Sequence, residues 1–218
     1  MQTQSTEDYI KGIYKLRREG KQVTTSALAR HLGVEDGSVT DMVKKLSEKK
    51  LVHYKPYQGV ALTEAGLRIA IKTMRRHRLW EMFLAKFLSY SWDEVHDEAE
   101  RLEHVTSDEM ERRLDRALGY PKTDPHGDPI PTSDGEVAAT KYAPLSEFDP
   151  GETAVIMRVS DADPEVLQYL ARLGLGLRSR VSVREKMSVD GTMIIRVGKK
   201  DRFISHKLAA AISARKSG

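Results

Sequence analysis

The sequence predicts a mainly α-helical fold with small β parts, and three observations support this. Apolar residues recur at helical spacing through most of residues 5 to 118. Two strand-like runs joined by a turn interrupt these helices at residues 51 to 63, and further short runs fill residues 151 to 205. We predict the domains as 1–70, 71–140 and 151–218, with a linker at 141–150.

Composition excludes several classes of protein. The 218 residues, 39% hydrophobic and 31% charged, are typical of a soluble globular chain. We expect a cytoplasmic protein without a membrane partner, because the sequence has no apolar run near the roughly 20 residues that span a bilayer and no signal peptide. The absence of cysteine excludes disulfides, thiolate zinc sites and thiol catalysis, so nitrogen and oxygen must hold any metal.

Helix 1 is predicted over residues 5 to 19, with Ser5 as its N-cap and Asp8 three residues later, as in a capping box. The helix dipole stabilises an acid in the first turn, so Asp8 needs no ligand role to explain its position.

Residues 22 to 50 have the spacing of a helix-turn-helix, with a second helix from Ser38 to Leu46 after a turn at residues 33 to 37. The alternating runs that follow predict a hairpin, the wing of a winged helix. Basic residues are frequent from 11 to 78, which favours a polyanion partner. The residues expected to contact DNA are Thr25, Ser26, Gly37, Ser38, Thr40, Asp41, Lys44 and Lys45, with Lys55 and Tyr57 at the hairpin tip. Short polar groups would meet base edges and lysines would meet phosphates. The alternative to the helix-turn-helix is a helical hairpin like those in many unrelated proteins. The alternative for Lys55 and Tyr57 is an ordinary solvated turn.

The central helices are predicted from Thr63, as N-cap, to about Leu88, from Trp92 to Val105, and from Ser107 to Leu118. Their apolar stripes and short connections suit a helix-packed homodimer, the symmetry that an operator with two half-sites requires.

A cluster of charged residues lies on these helices. On one helical face fall His96, Glu100, Glu103 and His104, and His77 and Glu81 are one turn apart on the preceding helix. Neighbouring carboxylates are costly without a cation, and mixed imidazole and carboxylate ligands suit manganese, iron or zinc. The apolar positions Trp92, Val95, Ala99, Leu102 and Val105 trace a separate, packing stripe. The alternative is a solvated, salt-bridged helix face.

Residues 120 to 150 are rich in proline and turn formers and are predicted as a linker or an ordered loop. Strands at Thr153–Val159, Arg180–Lys186 and Met193–Val197, with a short helix from about Pro164 to Leu173, predict a small β-barrel. We expect residues 204 to 209 to form a closing helical turn before a basic tail.

The chain resembles the diphtheria-toxin-repressor family of iron- and manganese-dependent transcriptional regulators along nearly its whole length. The segments that carry the resemblance are residues 6–10, 39–46, 62–66, 77–81, 92–105 and 125–131. The resemblance implies a winged-helix domain, a helical dimerisation domain and a C-terminal SH3-like (FeoA-like) barrel.

The resemblance also implies two metal sites. The primary site would use Asp8, Glu100, Glu103 and His104, and the ancillary site His77, Glu81 and His96. Of the two barrel residues that complete the ancillary site, one aligns with Asp161, for which Asp163 is an alternative, and the other with Pro164, which cannot ligate.

Iron-sensing members typically carry Met and Cys at the positions of Asp8 and Glu100, whereas manganese-sensing members use carboxylates. The resemblance therefore implies Mn(II), with Fe(II) as an alternative and other divalent metals able to bind in vitro. Short manganese regulators carry Glu at the position of Lys11 and build a close pair of metals. A cation there would repel a second metal, so we do not expect that arrangement.

These features predict a metal-activated repressor that binds a palindromic operator as a homodimer, and the resemblance implies that it controls metal-uptake genes. An Fe(II)-responsive regulator and a metal-independent DNA-binding protein are the alternatives. A metalloenzyme with a carboxylate base is disfavoured, because the winged helix would then have no function and no separate nucleophile accompanies the ligands. We expect no enzymatic activity and no small-molecule substrate.

Overall fold

The computed structural model describes residues 3–18, 20, 22–55 and 58–217. Eight α-helices and eight strands are present in these ranges. In chain order they are α1 Gln4–Arg18, α2 Thr25–Leu32, α3 Asp36–Glu48, β1 Val52–Lys55, β2 Gly59–Leu62, α4 Glu64–Leu88, α5 Val95–Glu103, α6 Asp108–Leu118, β3 Ala143–Pro144, β4 Thr153–Val159, α7 Pro164–Leu173, β5 Arg180–Lys186, β6 Met193–Val197, β7 Lys200–Ile204, α8 His206–Ala211 and β8 Ile212–Lys216. The predicted fold class is confirmed.

The chain divides into two compact units. The first consists of Met1–Arg78, Glu100–Arg113 and Pro131–Val137, and the second of Leu79–Ala99, Leu114–Ile130 and Ala138–Gly218. The division falls inside α4, α5 and α6, so it follows packing rather than the order of segments along the chain.

The first unit contains the winged helix. Its core joins α1, α2, α3 and the hairpin through fully buried side chains, among them Ile10, Leu28, Val39 and Leu46. The hairpin pairs β1 and β2 antiparallel, with Val52 opposite Leu62. Thr63 caps α4 as predicted, because its Oγ1 accepts from the Gly66 N–H at 3.2 Å.

Two predicted helix starts in this unit are wrong. Ser5 lies inside α1, and the cap is Thr3, whose Oγ1 accepts from the Thr6 N–H at 3.3 Å. The recognition helix α3 begins at Asp36 instead of Ser38, so Gly37 is helical and not part of the turn. The turn ends the preceding helix at Gly33, which adopts a left-handed φ of 67°.

The second unit contains a six-stranded antiparallel sheet in the order β3-β8-β4-β5-β6-β7. Strands β4, β5 and β6 and helix α7 coincide with the prediction. The predicted basic tail is wrong, because residues 212–216 form β8 between β3 and β4. Ile212 and Ala214 on that strand are buried and alternate with polar residues. This alternation is typical of a strand, but the basic residues of the segment led to the prediction of a tail.

Helix α5, predicted from Trp92 to Val105, is shorter than expected. It spans Val95–Glu103, and Val105, which was placed on the packing stripe, is 74% exposed because it lies beyond the helix end. Val95 and Ala99 are fully buried as expected.

No helix in the part of the chain that the structure describes has both the length and the hydropathy of a membrane span.

Candidate metal centre

Four predicted ligands come together in the first unit. Asp8 on α1, Glu100 and Glu103 on α5, and His104 just after it each offer an atom within 4.8 Å of the others. Glu103 is fully buried and His104 is 9% exposed. Helix α1, helix α5 and the residue after α5 therefore build one pocket of carboxylate and imidazole ligands, which we call the first cluster.

The orientation of His104 fits a cation site. Its Nδ1 lies 2.7 Å from Glu7 Oε2, so the protonated Nδ1 donates to that carboxylate. Its Nε2 then presents a lone pair to Asp8 Oδ1, which is 2.9 Å away. Both atoms are buried without a hydrogen-bond partner among the described residues. Two acceptors facing each other at this distance repel unless a cation lies beside them, and a carboxylate that orients a ligating imidazole is usual at metal sites.

Lys11 supplies a resident positive charge to the first cluster. Its buried Nζ lies 2.7 Å from Glu100 Oε2 and 2.5 Å from Glu103 Oε1. Burial lowers the pKa of Lys11, but the two carboxylates outweigh that effect and raise it.

The pKa values of Glu100 and Asp8 are shifted in opposite directions. Burial raises the pKa of Glu100, but the charge and hydrogen bond of Lys11 outweigh it and bring that pKa to about 2. The pKa of Asp8 is raised, because burial outweighs the attraction of Lys11 and because Glu100 and Glu103 add repulsion.

His77, which the resemblance assigns to the ancillary site, lies against Glu103 in the first unit. Its Nδ1 is 2.5 Å from Glu103 Oε2 and 3.5 Å from Glu100 Oε2. Glu103 thus contacts Lys11 through one oxygen and His77 through the other.

A second cluster forms in the second unit around Glu81, which is 1% exposed. His96 Nδ1 lies 3.6 Å from Glu81 Oε1 and 3.8 Å from Asp161 Oδ2, and the three residues offer ligand atoms within 4.8 Å of one another. The alternative, Asp163, is instead the N-cap of α7 and lies 3.3 Å from Lys207 Nζ.

Two further residues of the second cluster were not predicted. Asp124 and His126 lie with Glu81 in a buried group whose ligand atoms are within 4.8 Å of one another. His126 Nε2 donates to the Trp92 carbonyl at 2.6 Å, so Nδ1 presents a lone pair. That atom lies 3.8 Å from Glu81 Oε1 and is buried without a hydrogen-bond partner within the described ranges. The site therefore fits a cation, as the first cluster does.

The backbone orients this part of the second cluster. Asp124 Oδ1 accepts the N–H groups of His126 and Asp128, both at 2.9 Å. Gly127 has φ of 91°, and a Cβ there would lie 2.1 Å from the Met157 carbonyl oxygen. The sequence predicted a linker or an ordered loop here because of residues such as Pro125 and Gly127, and the histidine between two aspartates was the available signal of a ligand group.

The predicted DNA-contacting residues belong to the first unit. Gly37, Ser38, Asp41, Lys44 and Lys45 on α3 are exposed, as are Ser26 and Lys55, whereas Thr25 and Thr40 are half-buried. The Ser26 hydroxyl donates to Asp36 Oδ2 at 2.8 Å, and the Thr40 hydroxyl donates to the Asp36 carbonyl at 3.0 Å. Tyr57 lies outside the described residues.

Family models match three parts of the chain. The iron dependent repressor N-terminal DNA binding domain matches residues 1–60, its metal binding and dimerisation domain residues 63–132, and the FeoA domain residues 143–216.

Relatives and solved structures agree with these matches. The iron-dependent repressor IdeR of Mycobacterium leprae is 32% identical over 97% of both chains. A solved manganese-dependent transcriptional repressor in complex with manganese is 38% identical, with a TM-score of 0.91 over 97% of this chain and 100% of that one. The manganese regulator SloR is 32% identical, with a TM-score of 0.81 over 97% and 98%. The chain therefore belongs to the iron-dependent repressor family, also named after the diphtheria toxin repressor, whose members are metal-dependent DNA-binding transcriptional repressors and not enzymes, and it carries the FeoA (SH3-like) domain.

Proposed function

We propose that this protein is a Mn(II)-activated repressor that binds a palindromic operator as a dimer and silences metal-uptake genes in the cytoplasm. The observation that carries the proposal is the donor set of the first cluster, in which three carboxylates and one imidazole converge without sulfur. Hard oxygen donors suit Mn(II), whereas thioether and thiolate donors favour Fe(II). Solved manganese-dependent repressors resemble this chain along nearly its full length, which supports the same choice.

The first cluster is proposed to hold one metal. Asp8, Glu100, Glu103 and His104 are its proposed ligands, and Glu7 fixes the imidazole through Nδ1. Lys11 donates to two of those ligands and brings a positive charge where a second metal would have to lie. Repulsion between cations disfavours a close metal pair at that position.

The second cluster is proposed as the ancillary site. Glu81, His96 and Asp161 match three of the positions assigned by resemblance, and Asp124 and His126 extend the donor set. His77 is proposed to support the first cluster through its contact with Glu103.

The proposed activation acts through α1. A bound divalent cation would offset the negative charges of the carboxylates on α1 and α5. Asp8 belongs to α1, while Glu100 and Glu103 belong to α5, so the same ligands that balance the charge also join the two helices. Lys11 and Glu7 make further contacts between α1 and the α5 region. Helix α1 packs against the helix-turn-helix, so holding α1 in place would fix the orientation of that motif within the dimer. The two recognition helices would then reach major grooves about 34 Å apart.

The DNA interface is proposed to be the exposed face of α3, supported by α2 and the wing. Lysines 44, 45 and 55 would contact phosphates, and the polar residues near the start of α3 would meet base edges. Thr25, Ser26 and Tyr57 are proposed to flank that contact.

The test is DNA binding by the purified protein to an operator selected from random sequences. Salt is held fixed because phosphate contacts make the affinity steeply salt-dependent. We expect weak binding with chelator and an increase of roughly 5- to 150-fold with Mn(II), in the usual range of allosteric coupling. Glu100→Ala should remove that increase, whereas Asp97→Ala, a change of an exposed acid on the same helix, should retain it. Equal binding with and without chelator would show a metal-independent DNA-binding protein instead.

An Fe(II)-responsive regulator is the second candidate, because the iron-dependent repressor IdeR is similar along the chain. Titration with Fe(II) under anaerobic conditions and with Zn(II) distinguishes the candidates. A response to Fe(II) at concentrations well below those needed for Mn(II) would favour the iron regulator.

A further inference from the structure

Asp41 lies at the centre of the exposed face of the recognition helix. Val39, Val43 and Leu46 of α3 are fully buried, which fixes the direction of the opposite face. At 3.6 residues per turn, Asp41 lies about 200° around the helix axis from Val39. Its side chain is 73% exposed. The outward face of the helix therefore carries an anion at Asp41.

The structure leaves the Asp41 carboxylate open to a partner. Side chains of an α-helix lean toward its N-terminus, so Asp41 leans over the preceding turn, which Gly37 occupies. A Cβ at Gly37 would meet nothing within 4 Å. Lys44 Nζ is 3.8 Å from Asp41 Oδ1, and both side chains are well exposed, so this pair is weak and leaves most of the negative charge in place.

Two other residues near the start of α3, Asp36 and Thr40, make contacts within the motif. Ser26 donates to the Asp36 carboxylate, and Thr40 donates to the Asp36 carbonyl. Asp41 has no donor of its own, because an ionised carboxylate only accepts hydrogen bonds.

A carboxylate at this position conflicts with a phosphate backbone and needs an N–H donor on the DNA. The major groove offers amino donors on cytosine N4 and adenine N6, and the carboxylate is the side chain that pairs with cytosine N4. We propose that Asp41 is a specificity-determining residue that accepts a hydrogen bond from the N4 amino group of a cytosine in each half-site. This inference rests on the proposed placement of α3 in the major groove.

The test compares base preferences of the full-length protein with Mn(II) on a randomised DNA library. Wild type should select cytosine at one symmetric pair of positions, with a preference of at least about fivefold. Asp41→Asn should change that preference to adenine, because an amide pairs with adenine N6 and N7. Asp41→Ala should lose the preference at that position and bind unrelated DNA severalfold more tightly, since a charge that repels phosphate is gone.

Glu48→Gln is the matched control, because Glu48 is exposed two turns later on the same side of α3. It should retain the wild-type base preference. Circular dichroism checks that each variant is folded. If Asp41→Asn and Asp41→Ala select the same bases as wild type at every position, the inference is overturned while DNA binding stands. If wild type itself selects no sequence, the proposed DNA function fails and the inference falls with it.

Discussion

The two ligand clusters orient similar side chains by different means. In the first, the buried ammonium of Lys11 bridges Glu100 and Glu103, so a side-chain charge holds the carboxylates. In the second, backbone N–H groups hold Asp124, and a backbone carbonyl holds His126. A cation on a side chain can be removed by one substitution, whereas backbone donors depend on the conformation of a loop. The first cluster should therefore respond to changes of charge and the second to changes of backbone geometry.

Lys11→Met should produce the largest effect. The substitution leaves Glu103 as a buried carboxylate without its ammonium partner, which should lower the free energy of unfolding by about 3 kcal/mol. Removal of the nearby positive charge should also tighten metal binding by about tenfold. Urea unfolding in chelator and a metal titration measure the two effects. Lys15→Met, one turn later on the same helix, is the control and should cost under about 1 kcal/mol. An equal loss in both variants would show that Lys11 does not hold the first cluster.

Gly127→Ala should disturb the second cluster through the backbone. The added Cβ would lie 2.1 Å from the Met157 carbonyl oxygen at a φ of 91°, and we expect a loss of about 2 kcal/mol from strain. The control is Gly135→Ala, which has a similar φ of 87° but whose Cβ would lie 3.8 Å from Ile71 Cγ2. Thermal unfolding and calorimetric metal titration should show weaker ancillary binding in the Gly127 variant alone. If both variants lose the same stability and metal affinity, the contact of the added Cβ with the Met157 carbonyl contributes nothing beyond the strain from the positive φ.

His126→Ala should weaken ancillary metal binding by at least about tenfold, a factor worth about 1.4 kcal/mol, and leave the first cluster intact. In a metal titration, the tighter phase, assigned to the first cluster, should persist. The weaker phase, assigned to the second cluster, should move to higher metal concentration. His206→Ala, a change of an exposed histidine in the second unit, is the control. Loss of both phases would contradict the assignment of His126 to the second cluster alone.

The contact of Lys11 with Glu100 should also make the stability of the protein depend on pH. The pKa of Glu100 is about 2 in the folded protein and 4.5 in its reference state, so the unfolded chain binds more protons between these values. Stability from this pair is therefore present above pH 4.5 and is lost as the pH falls toward 2. The free energy of unfolding, measured in chelator from pH 2 to 5, should rise less steeply with pH in Lys11→Met than in wild type. Identical slopes in wild type and variant would assign the acid sensitivity to other carboxylates.

Much of the fold could be predicted because its signals are local. Apolar spacing and the Thr63 cap determined α4, and the turn at Gly174 closed α7. The strands β7 and β8 were missed because their charged residues hid an alternation that only pairing with distant strands makes visible. Tertiary pairing, not local propensity, determines those elements.

The candidate sites divide in the same way. Helical periodicity grouped Glu100, Glu103 and His104, because residues three and four apart share a face. Periodicity could not bring Asp8 to them, since α1 and α5 are remote in sequence, and only the resemblance did so. The role of Glu7 and the contact of His77 with Glu103 depend on the packing of α1, α4 and α5. Asp124 and His126 lie on a loop, where no periodic rule applies.

The position of β8 has a consequence for synthesis of the protein on the ribosome. The ligands of the first cluster all emerge between residues 8 and 104, so its parts are available while the C-terminal region is still being translated. The sheet lacks the strand between β3 and β4 until residues 212–216 emerge, which leaves the edge of β4 open until then. We therefore expect the first unit to fold during translation, and the sheet of the second unit to be prone to aggregation until β8 has emerged.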